Sequence, residues 1–298
     1  RWPVLGERAA FDCLTRQDVL DYHASRYVPN NVVLSIAGDV DAAEILSHLE
    51  LLVEDLKSRP LNREPIPHEP HQFGSRRVRK EFAVPYSKLH LAWRLPCSAH
   101  PDTPALSALS SILGGGRSAR FYEKFHDRLG LVYSIEVHSN QSETDEGAFT
   151  ISMDVDRAQR DKVRDLVLQE LRNLAEEDFT EDLKRVCKQT RVSRLRRRSS
   201  ASGVASEMGA DWFGSRNLNL SSEWQEAIER VTTEDLHRVC STWLSSPNVT
   251  EVSLDPPGSN AGDEEMASAS AGTSLSEHVL GNGMKVVIRE DHRLPLAY

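Results

Sequence analysis

Two stretches near opposite ends of the chain share one pattern. LTRQDVLDYHASRYVPNNVVLSIAGDV, which starts at Leu14, is similar to VTTEDLHRVCSTWLSSPNVTEVSLDPPG, which starts at Val231. Each stretch predicts a capped helix, then a turn with Pro and Asn, then a strand. A pattern that occurs twice at this distance indicates two structurally similar domains that end in the same way. We therefore interpret residues 1–57 as the C-terminal tail of a preceding domain.

Two polar stretches divide the rest of the chain. Residues 58–75 contain four prolines, and residues 257–274 are small and polar, so both are predicted to be linkers. They bound a second domain over residues 76–256. After the second linker, GNG at 281–283 is a hairpin signal, and residues 275–298 are predicted to begin a third domain.

The hydrophobic pattern predicts helices and strands both in a first unit, residues 1–57, and in a second unit, residues 76–256. In the first unit, Thr15 caps a helix that ends near Tyr27, Asp41 caps a second helix, and residues 31–38 form a buried strand between them. In the second unit, apolar residues alternate over 89–95, which is typical of a half-buried strand. The other predicted strands are 78–84, 131–138, 148–155, 249–254 and 284–288, and the other predicted helices are 105–113, 163–174, 180–199, 203–213, 221–230 and 232–245.

Three glycines, Gly114, Gly115 and Gly116, interrupt this pattern in the stretch LGGGRSARFYEKFHDRLGLVYS. A Walker phosphate loop needs G-x-x-x-x-G-K-[ST], but these glycines lead into Arg-Ser with no lysine at the required spacing. A dinucleotide fingerprint needs a strand before its glycines, whereas the preceding residues predict a helix. We therefore expect the glycines to end one helix with positive φ and to let the next helix begin at once. Glycines also leave room for an extended ligand, and that interpretation stays open.

Histidines are plentiful but form no recognisable metal site. The chain has 11 histidines, and neither H-E-x-x-H nor H-x-x-E-H occurs. The nearest approach, HEPH at 68–71, is set among prolines that oppose the helix needed to bring two histidines onto one face. The four cysteines, Cys13, Cys97, Cys187 and Cys240, are far apart. Two disulfides are possible, but the spacing favours reduced thiols. These local motifs predict no metal ligand and no catalytic residue in this chain.

The charge balance argues against a general nucleic-acid binder. The formal net charge is −9 at pH 7, whereas nucleic-acid binding needs a cationic surface. The basic run RVSRLRRRSS at 191–200 lacks aromatic side chains for base stacking, and we predict that it is the solvated face of a helix, paired with acidic residues elsewhere. No apolar run approaches the roughly 20 residues of a membrane span, so we expect a soluble protein in an unknown compartment.

Three blocks of the chain occur in the order of a known family. The segment from Leu14 has a Y-x-P-x-N turn, an apolar strand and Gly-Asp. ALSALSSILGGGRSARFYEKFHDRLGLVYSI at 105–135 is similar to an LGGG-x-S-R-L block that ends in GLAYS, and VLGNGMKVVIREDHRLP at 279–295 is similar to an L-x-NG-x-x-V opening. Together they resemble the pitrilysin/insulinase family of zinc metallopeptidases, which includes the mitochondrial processing peptidase and its inactive partner subunits. The resemblance covers roughly residues 10–256 and the last 20.

The resemblance implies an α+β fold. Each domain would be an α/β roll like that of the mitochondrial processing peptidase, with an antiparallel-rich sheet packed against helices. Residues 76–256 would be the non-catalytic roll domain of one half. The resemblance also implies zinc in the intact protein, held by H-x-x-E-H and a distal Glu in the first domain of a catalytic half. Those ligands would lie outside this chain.

The resemblance further implies a substrate-binding role for the block at 105–135. In the family, an Arg and a Tyr seven residues apart reach the substrate near the scissile carbonyl, where a cation and a phenol can bind a developing oxyanion. Tyr133 occupies the Tyr position, but His126 occupies the Arg position. A neutral imidazole is a weaker partner than a guanidinium, so we expect a degraded pair and an operative pair in the other half. The alternative is that Tyr133 only packs its ring in the wall.

We therefore interpret the chain as a fragment of a zinc metalloendopeptidase. It would contribute Tyr133, His126 and the glycines 114–116 to the substrate-binding wall of a peptide-cleavage chamber, and no zinc ligand. Its partners would be an extended peptide or unfolded polypeptide, together with the remaining domains of the same polypeptide or a homologous subunit. The alternative is a section of a proteolytically inactive scaffold or partner subunit, to which His126 gives weight.

Overall fold

A five-stranded mixed sheet forms the centre of the molecule in the computed structural model. The strands are β1 (Arg76–Glu81), β2 (Ser87–Leu95), β3 (Val132–Asn140), β4 (Gly147–Val155) and β5 (Thr250–Asp255). They lie in the order β1-β5-β2-β4-β3, with β1 and β5 parallel and the other neighbouring pairs antiparallel. The expected α+β fold with an antiparallel-rich sheet is confirmed. The structure describes residues 6–61, 70–142, 145–245, 247–258, 275–279 and 285–289.

Helices cover one face of this sheet. α4 (Thr103–Gly114) contacts β3, and α5 (Arg160–Asn173) contacts β2. The unit also contains α6 (Thr180–Arg197), α7 (Ala201–Ser215), α8 (Leu220–Glu229) and α9 (Thr233–Val239), and π-helical segments at Tyr122–Arg128 and Cys240–Leu244. The helices and strands predicted for this unit are confirmed, with their ends shifted by a few residues.

The hydrophobic core lies between the sheet and α4 and α5. Along β2, alternate residues are buried while those between them are exposed or half-buried, as the period of two predicts. On the helices, apolar residues three and four apart face the sheet because one turn takes 3.6 residues. The buried residues include Leu89, Leu91, Trp93 and Leu95 of β2, Leu106, Leu109 and Leu113 of α4, and Val163, Val167 and Leu171 of α5.

The first unit consists of α1 (Arg8–Asp12), α2 (Arg16–Arg26) and α3 (Ala42–Val53). The hydroxyl of Thr15 accepts from the backbone N–H of Asp18, whose carboxylate accepts from the backbone N–H of Thr15, so α2 begins with a capping box. The Asp41 side chain accepts from two backbone N–H groups at the start of α3. Both predicted helices and both caps are confirmed, and α1 was not predicted.

The predicted buried strand at 31–38 is wrong. Pro29–Asn31 form a 3₁₀ turn, and residues 32–37 belong to no strand of the described sheets. Val32, Leu34 and Ile36 are exposed. A strand needs a neighbour to satisfy its backbone hydrogen-bonding groups, and no strand in the described part of the chain lies beside these residues. Ser35 ties this segment to the sheet domain, because its Oγ donates to the carbonyl oxygen of Ala205 on α7 at 2.6 Å.

A second, two-stranded sheet lies near the C-terminus. β6 (Leu275–Val279) and β7 (Lys285–Arg289) pair antiparallel, which confirms the strand predicted at 284–288. The GNG turn between them lies outside the described residues, as does most of the linker predicted at 58–75. The domain limits stay predictions.

Candidate functional site

The face of the sheet opposite the helices is polar. In the pairing of β2, β4 and β3, His90 lies opposite Ser152, which lies opposite Glu136. The next row towards the start of β2 is Lys88, Asp154 and Ser134. These two rows line a cavity of about 350 Å³, which we call the sheet-face cavity.

Tyr133 lies at the edge of the sheet-face cavity. Two residues of β3 lie opposite one of β4 at this point, so Tyr133 is the extra residue of a β-bulge. Its ring is about half exposed and lies 4.1 Å from the ring of Tyr86, centroid to centroid. The next residue, Ser134, lines the cavity. The bulge therefore presents a phenol to solvent beside the polar face.

His126 lies in the π-helical segment before β3. Its ring stacks on the ring of Tyr122 with centroids 4.4 Å apart, and its Nδ1 is 2.7 Å from Asp127 Oδ1. The side chain is about one-third exposed. Tyr133 contacts a different tyrosine, Tyr86, so among the described residues the structure does not bring the rings of Tyr133 and His126 into contact.

The three predicted glycines join α4 to the π-helical segment. A Cβ on Gly114 would lie 2.5 Å from the backbone nitrogen of Val137 on β3, and a Cβ on Gly115 would lie 2.4 Å from the carbonyl oxygen of Ser111. Gly116 has φ of +108°, which L side chains rarely adopt. The helix end with positive φ is confirmed. A contribution of these glycines to ligand binding stays a prediction.

His90 is a weakly basic group in the cavity wall. Burial lowers the pKa of His90 from its ordinary value near 6.5, and the nearby His138 lowers it further. Its Nδ1 is 2.7 Å from Ser152 Oγ, and His138 Nε2 is 3.4 Å from Glu136 Oε2. An imidazole with a lowered pKa is neutral at pH 7, so His90 supplies hydrogen-bonding capacity without charge.

The described residues do not fit a zinc ion. Within 6–61, 70–142, 145–245 and 247–258, no group of three or more His, Cys, Asp or Glu could hold a metal. His71, the last residue of HEPH, contacts the ring of Phe73 edge-on, and the first two residues of that motif lie outside the described part. We derive no catalytic step through zinc for this chain.

A known protein family matches most of this chain. The model of the family described as the peptidase M16 inactive domain matches residues 14–189, more than half of the chain. The chain belongs to the peptidase M16 inactive-domain family. The predicted membership of the pitrilysin/insulinase family, as a non-catalytic domain, is therefore confirmed.

Relatives of this M16 domain are named as zinc proteases. Zinc protease PqqE of Helicobacter pylori is 23% identical over 263 residues, which cover 86% of this chain and 58% of that protein. An uncharacterized zinc protease of Rickettsia felis is 23% identical over 256 residues, covering 82% of this chain and 58% of that protein. The chain therefore spans less than two thirds of the length of these relatives.

Solved structures share the fold of this M16 domain. A protease from Helicobacter pylori has a TM-score of 0.74 at 24% identity, covering 84% of this chain and 62% of that one. A peptidase M16 inactive domain from Pseudomonas fluorescens has a TM-score of 0.73 at 20% identity, covering 84% of this chain and 60% of that one. Both likenesses support the α+β roll.

Two residues that contact the predicted site segments were missed by sequence analysis. The ring of Tyr86 packs against that of Tyr133 at a tilt, but nothing in the sequence links residues so far apart. Arg120 donates to the carboxylates of Asp182 at 2.7 Å and Glu177 at 3.0 Å, and so holds the π-helical segment against the start of α6. The LGGG block contains Arg120, but its acidic partners are distant in sequence, so only the structure identifies them.

The basic run at 191–200 lies mainly on α6 and is only partly solvated. Arg191 pairs with Glu229 at 2.8 Å, and Arg194 and Arg198 pair with Glu207 at 3.1 and 2.7 Å. Pairing with acidic residues is therefore confirmed. The solvated face is wrong for Arg194, because its side chain and that of Glu207 are mostly buried between α6, α7 and α8. No described helix has the length and apolar character needed to cross a membrane.

Proposed function

We propose that this M16 domain is a non-catalytic section of a zinc metalloendopeptidase and forms part of the wall of its peptide-cleavage chamber. The family match over 14–189 is the observation that carries the proposal, and the relatives named as zinc proteases support it. In this proposal the zinc ligands and the general base lie outside the chain.

The substrate would be an extended peptide or an unfolded polypeptide lying along the polar sheet face. Tyr133 presents its ring there through the bulge, so its phenolic O–H can donate to a carbonyl oxygen on which negative charge develops. His126, one-third exposed, would lie beside the path of the peptide. Gly114, Gly115 and Gly116 would serve mainly by letting α4 pack close to β3, which places the π-helical segment.

The remaining domains of the same polypeptide, or a homologous subunit, would complete the chamber. In this proposal, residues 1–57 end a preceding roll domain, 58–75 and 257–274 are linkers, 76–256 form the non-catalytic roll, and 275–298 begin another roll. The exposed apolar side chains of α2 and α3 support this assignment, because a complete domain would bury such side chains in its own core.

The test compares the 298-residue chain with the longer polypeptide that carries it, on unstructured peptides with and without a chelator. We expect chelator-sensitive cleavage by the longer protein and none by the chain alone. In the longer protein, Tyr133→Phe should lower kcat only about tenfold with little change in KM. The loss is smaller than that of an operative oxyanion donor because we expect the operative pair to lie in the other half. Tyr122→Phe is the matched control and should leave both constants unchanged. Cleavage by the chain alone would contradict the proposal.

A second candidate is a proteolytically inactive scaffold or partner subunit of the same family. The observation that favours it is His126, which stacks on Tyr122 at the position where the family resemblance places an Arg. His126→Arg in the longer protein separates the candidates. An increase in cleavage supports the chamber wall, whereas a wild-type protein and a variant that are both inactive would support the scaffold.

A further inference from the structure

The sheet-face cavity contains more carboxylates than cations. Lys88 Nζ donates to Asp154 Oδ1 at 3.0 Å, so this lysine is matched by one acid. Glu136 is the second acid of the lining, is about two-thirds exposed, and lies 3.4 Å from the imidazole of His138. His90 adds no charge at neutral pH because its pKa is lowered. Two carboxylates against one ammonium leave the cavity negative.

The floor and rim of the cavity suit a long side chain with a polar end. Ser152 on β4 and Ser134 on β3 are small, so they leave a depression between β2 and β3, and their hydroxyls can accept hydrogen bonds. The contacting rings of Tyr86 and Tyr133 lie at one end of the same face and provide apolar surface. Lysine and arginine combine a methylene stem, which packs on such rings, with a cationic tip.

We propose that the sheet-face cavity is a subsite for a lysine or arginine side chain of an extended peptide. The cationic tip would donate to Glu136 and Asp154 and to the two serine hydroxyls, and the stem would lie against Tyr86 and Tyr133. This inference rests on the proposed function, since it assigns a side-chain preference to the same peptide-binding wall. Glu136 is about two-thirds exposed, so a cation can reach its carboxylate from solvent.

The experiment uses the whole 298-residue chain and two unstructured ten-residue peptides. The peptides differ only at a central lysine, which norleucine replaces in the second, and both carry a benzophenone beside that position. Affinity is measured by fluorescence anisotropy, and the cross-linked site is mapped by mass spectrometry. We expect the lysine peptide to bind about fivefold more tightly, the size typical of an exposed ion pair, and to cross-link to β2, β3 or β4.

Glu136→Gln is the main variant. Glu136 is exposed, so we expect the variant to fold normally, which circular dichroism checks. It should abolish the preference for lysine over norleucine. Glu136→Lys should reverse the charge preference, so that a third peptide with glutamate at the central position binds more tightly than the lysine peptide. Glu181→Gln, at a still more exposed acid on α6, is the control and should retain the preference.

The cross-linking result separates failure of the subsite from failure of the peptide-binding wall. If both peptides cross-link to the sheet face with equal affinity in the wild type, the subsite is overturned while the peptide-binding wall stands. If neither peptide cross-links to that face, the wall and the subsite are both overturned. A lysine preference that survives Glu136→Gln also overturns the subsite, because the cation would then bind elsewhere.

Discussion

At the scale of single residues, Gly114 at the end of α4 and Tyr133 on β3 determine the shape of the surface around the sheet-face cavity. Gly114 lets the end of α4 approach Val137 more closely than any side chain would permit. On the other face, the bulge at Tyr133 turns one ring out of the regular alternation and onto Tyr86. The close contact of α4 with β3 and the bulge in the pairing of β3 with β4 therefore both determine the position of the residues around the cavity.

Gly114→Ala should destabilise the domain by about 1–3 kcal/mol, because the new Cβ would overlap the backbone of β3 and force α4 outward. Urea denaturation measures the change in the free energy of unfolding. Gly74→Ala is the matched control, since a Cβ there meets no atom within 4 Å, and it should change stability by less than about 0.5 kcal/mol. Equal stabilities of the two variants would contradict this account.

At the scale of elements, β5 is unusual because its buried face is polar. Glu251, Ser253 and Asp255 alternate with half-buried residues and face the helix layer. Asp255 accepts from Ser87 Oγ, Ser253 Oγ and Arg160 Nη1, at 2.5, 2.9 and 2.5 Å. A fully buried carboxylate is tolerated only with such partners, so this network fastens β5 and β2 to α5.

Asp255→Asn should lower the free energy of unfolding by about 3 kcal/mol, because it leaves the buried guanidinium of Arg160 without its main counter-charge. The matched control is Asp165→Asn, which removes an exposed partner of Arg164 and should cost less than about 1 kcal/mol. Both values come from urea denaturation at pH 7. A loss at Asp255 no larger than that at Asp165 would show that the network adds little to stability.

At the scale of the whole molecule, the two halves of the sequence repeat have different surroundings. α2 and α9 both begin with a capping box, from Thr15 and Asp18 in one and from Thr232 and Asp235 in the other. The apolar residues of α9 are buried against the sheet domain, whereas those of α2 are exposed. The strand that follows α9 is β5, which pairs with β1 and β2 inside the sheet, whereas the matching residues after α2 belong to no described strand.

We therefore expect the amide protons of α2 to exchange with solvent at least about tenfold faster than those of α9, because the same local capping is backed by buried contacts only in α9. Hydrogen exchange followed by mass spectrometry measures both helices in one sample of the chain. Equal protection of α2 would mean that its apolar face is covered in solution, for example by a second copy. Dilution would then restore fast exchange in α2.

Much of the fold was predictable from the sequence, because local signals and burial agree in the sheet domain. The alternation in β2, the spacing in α5 and the caps at Thr15 and Asp41 all depend on neighbours a few residues away. The candidate site was predictable only in part. Tyr133 and the glycines lie in a recognisable block, but Tyr86, Arg120 and the lining of the cavity come from distant segments.

The sequence by itself determined the elements of the sheet domain, the family, and the end of α4 at the glycines, since each follows from local pattern and backbone preference. Only the tertiary structure decided the order of the strands, the pairing of Tyr133 with Tyr86, the polar cavity and the lack of a strand at 32–37. The physical reason is that a strand and a binding surface are completed by partners remote in sequence. Hydrophobicity alone predicts that a segment can be buried, and the fold determines whether anything is there to bury it.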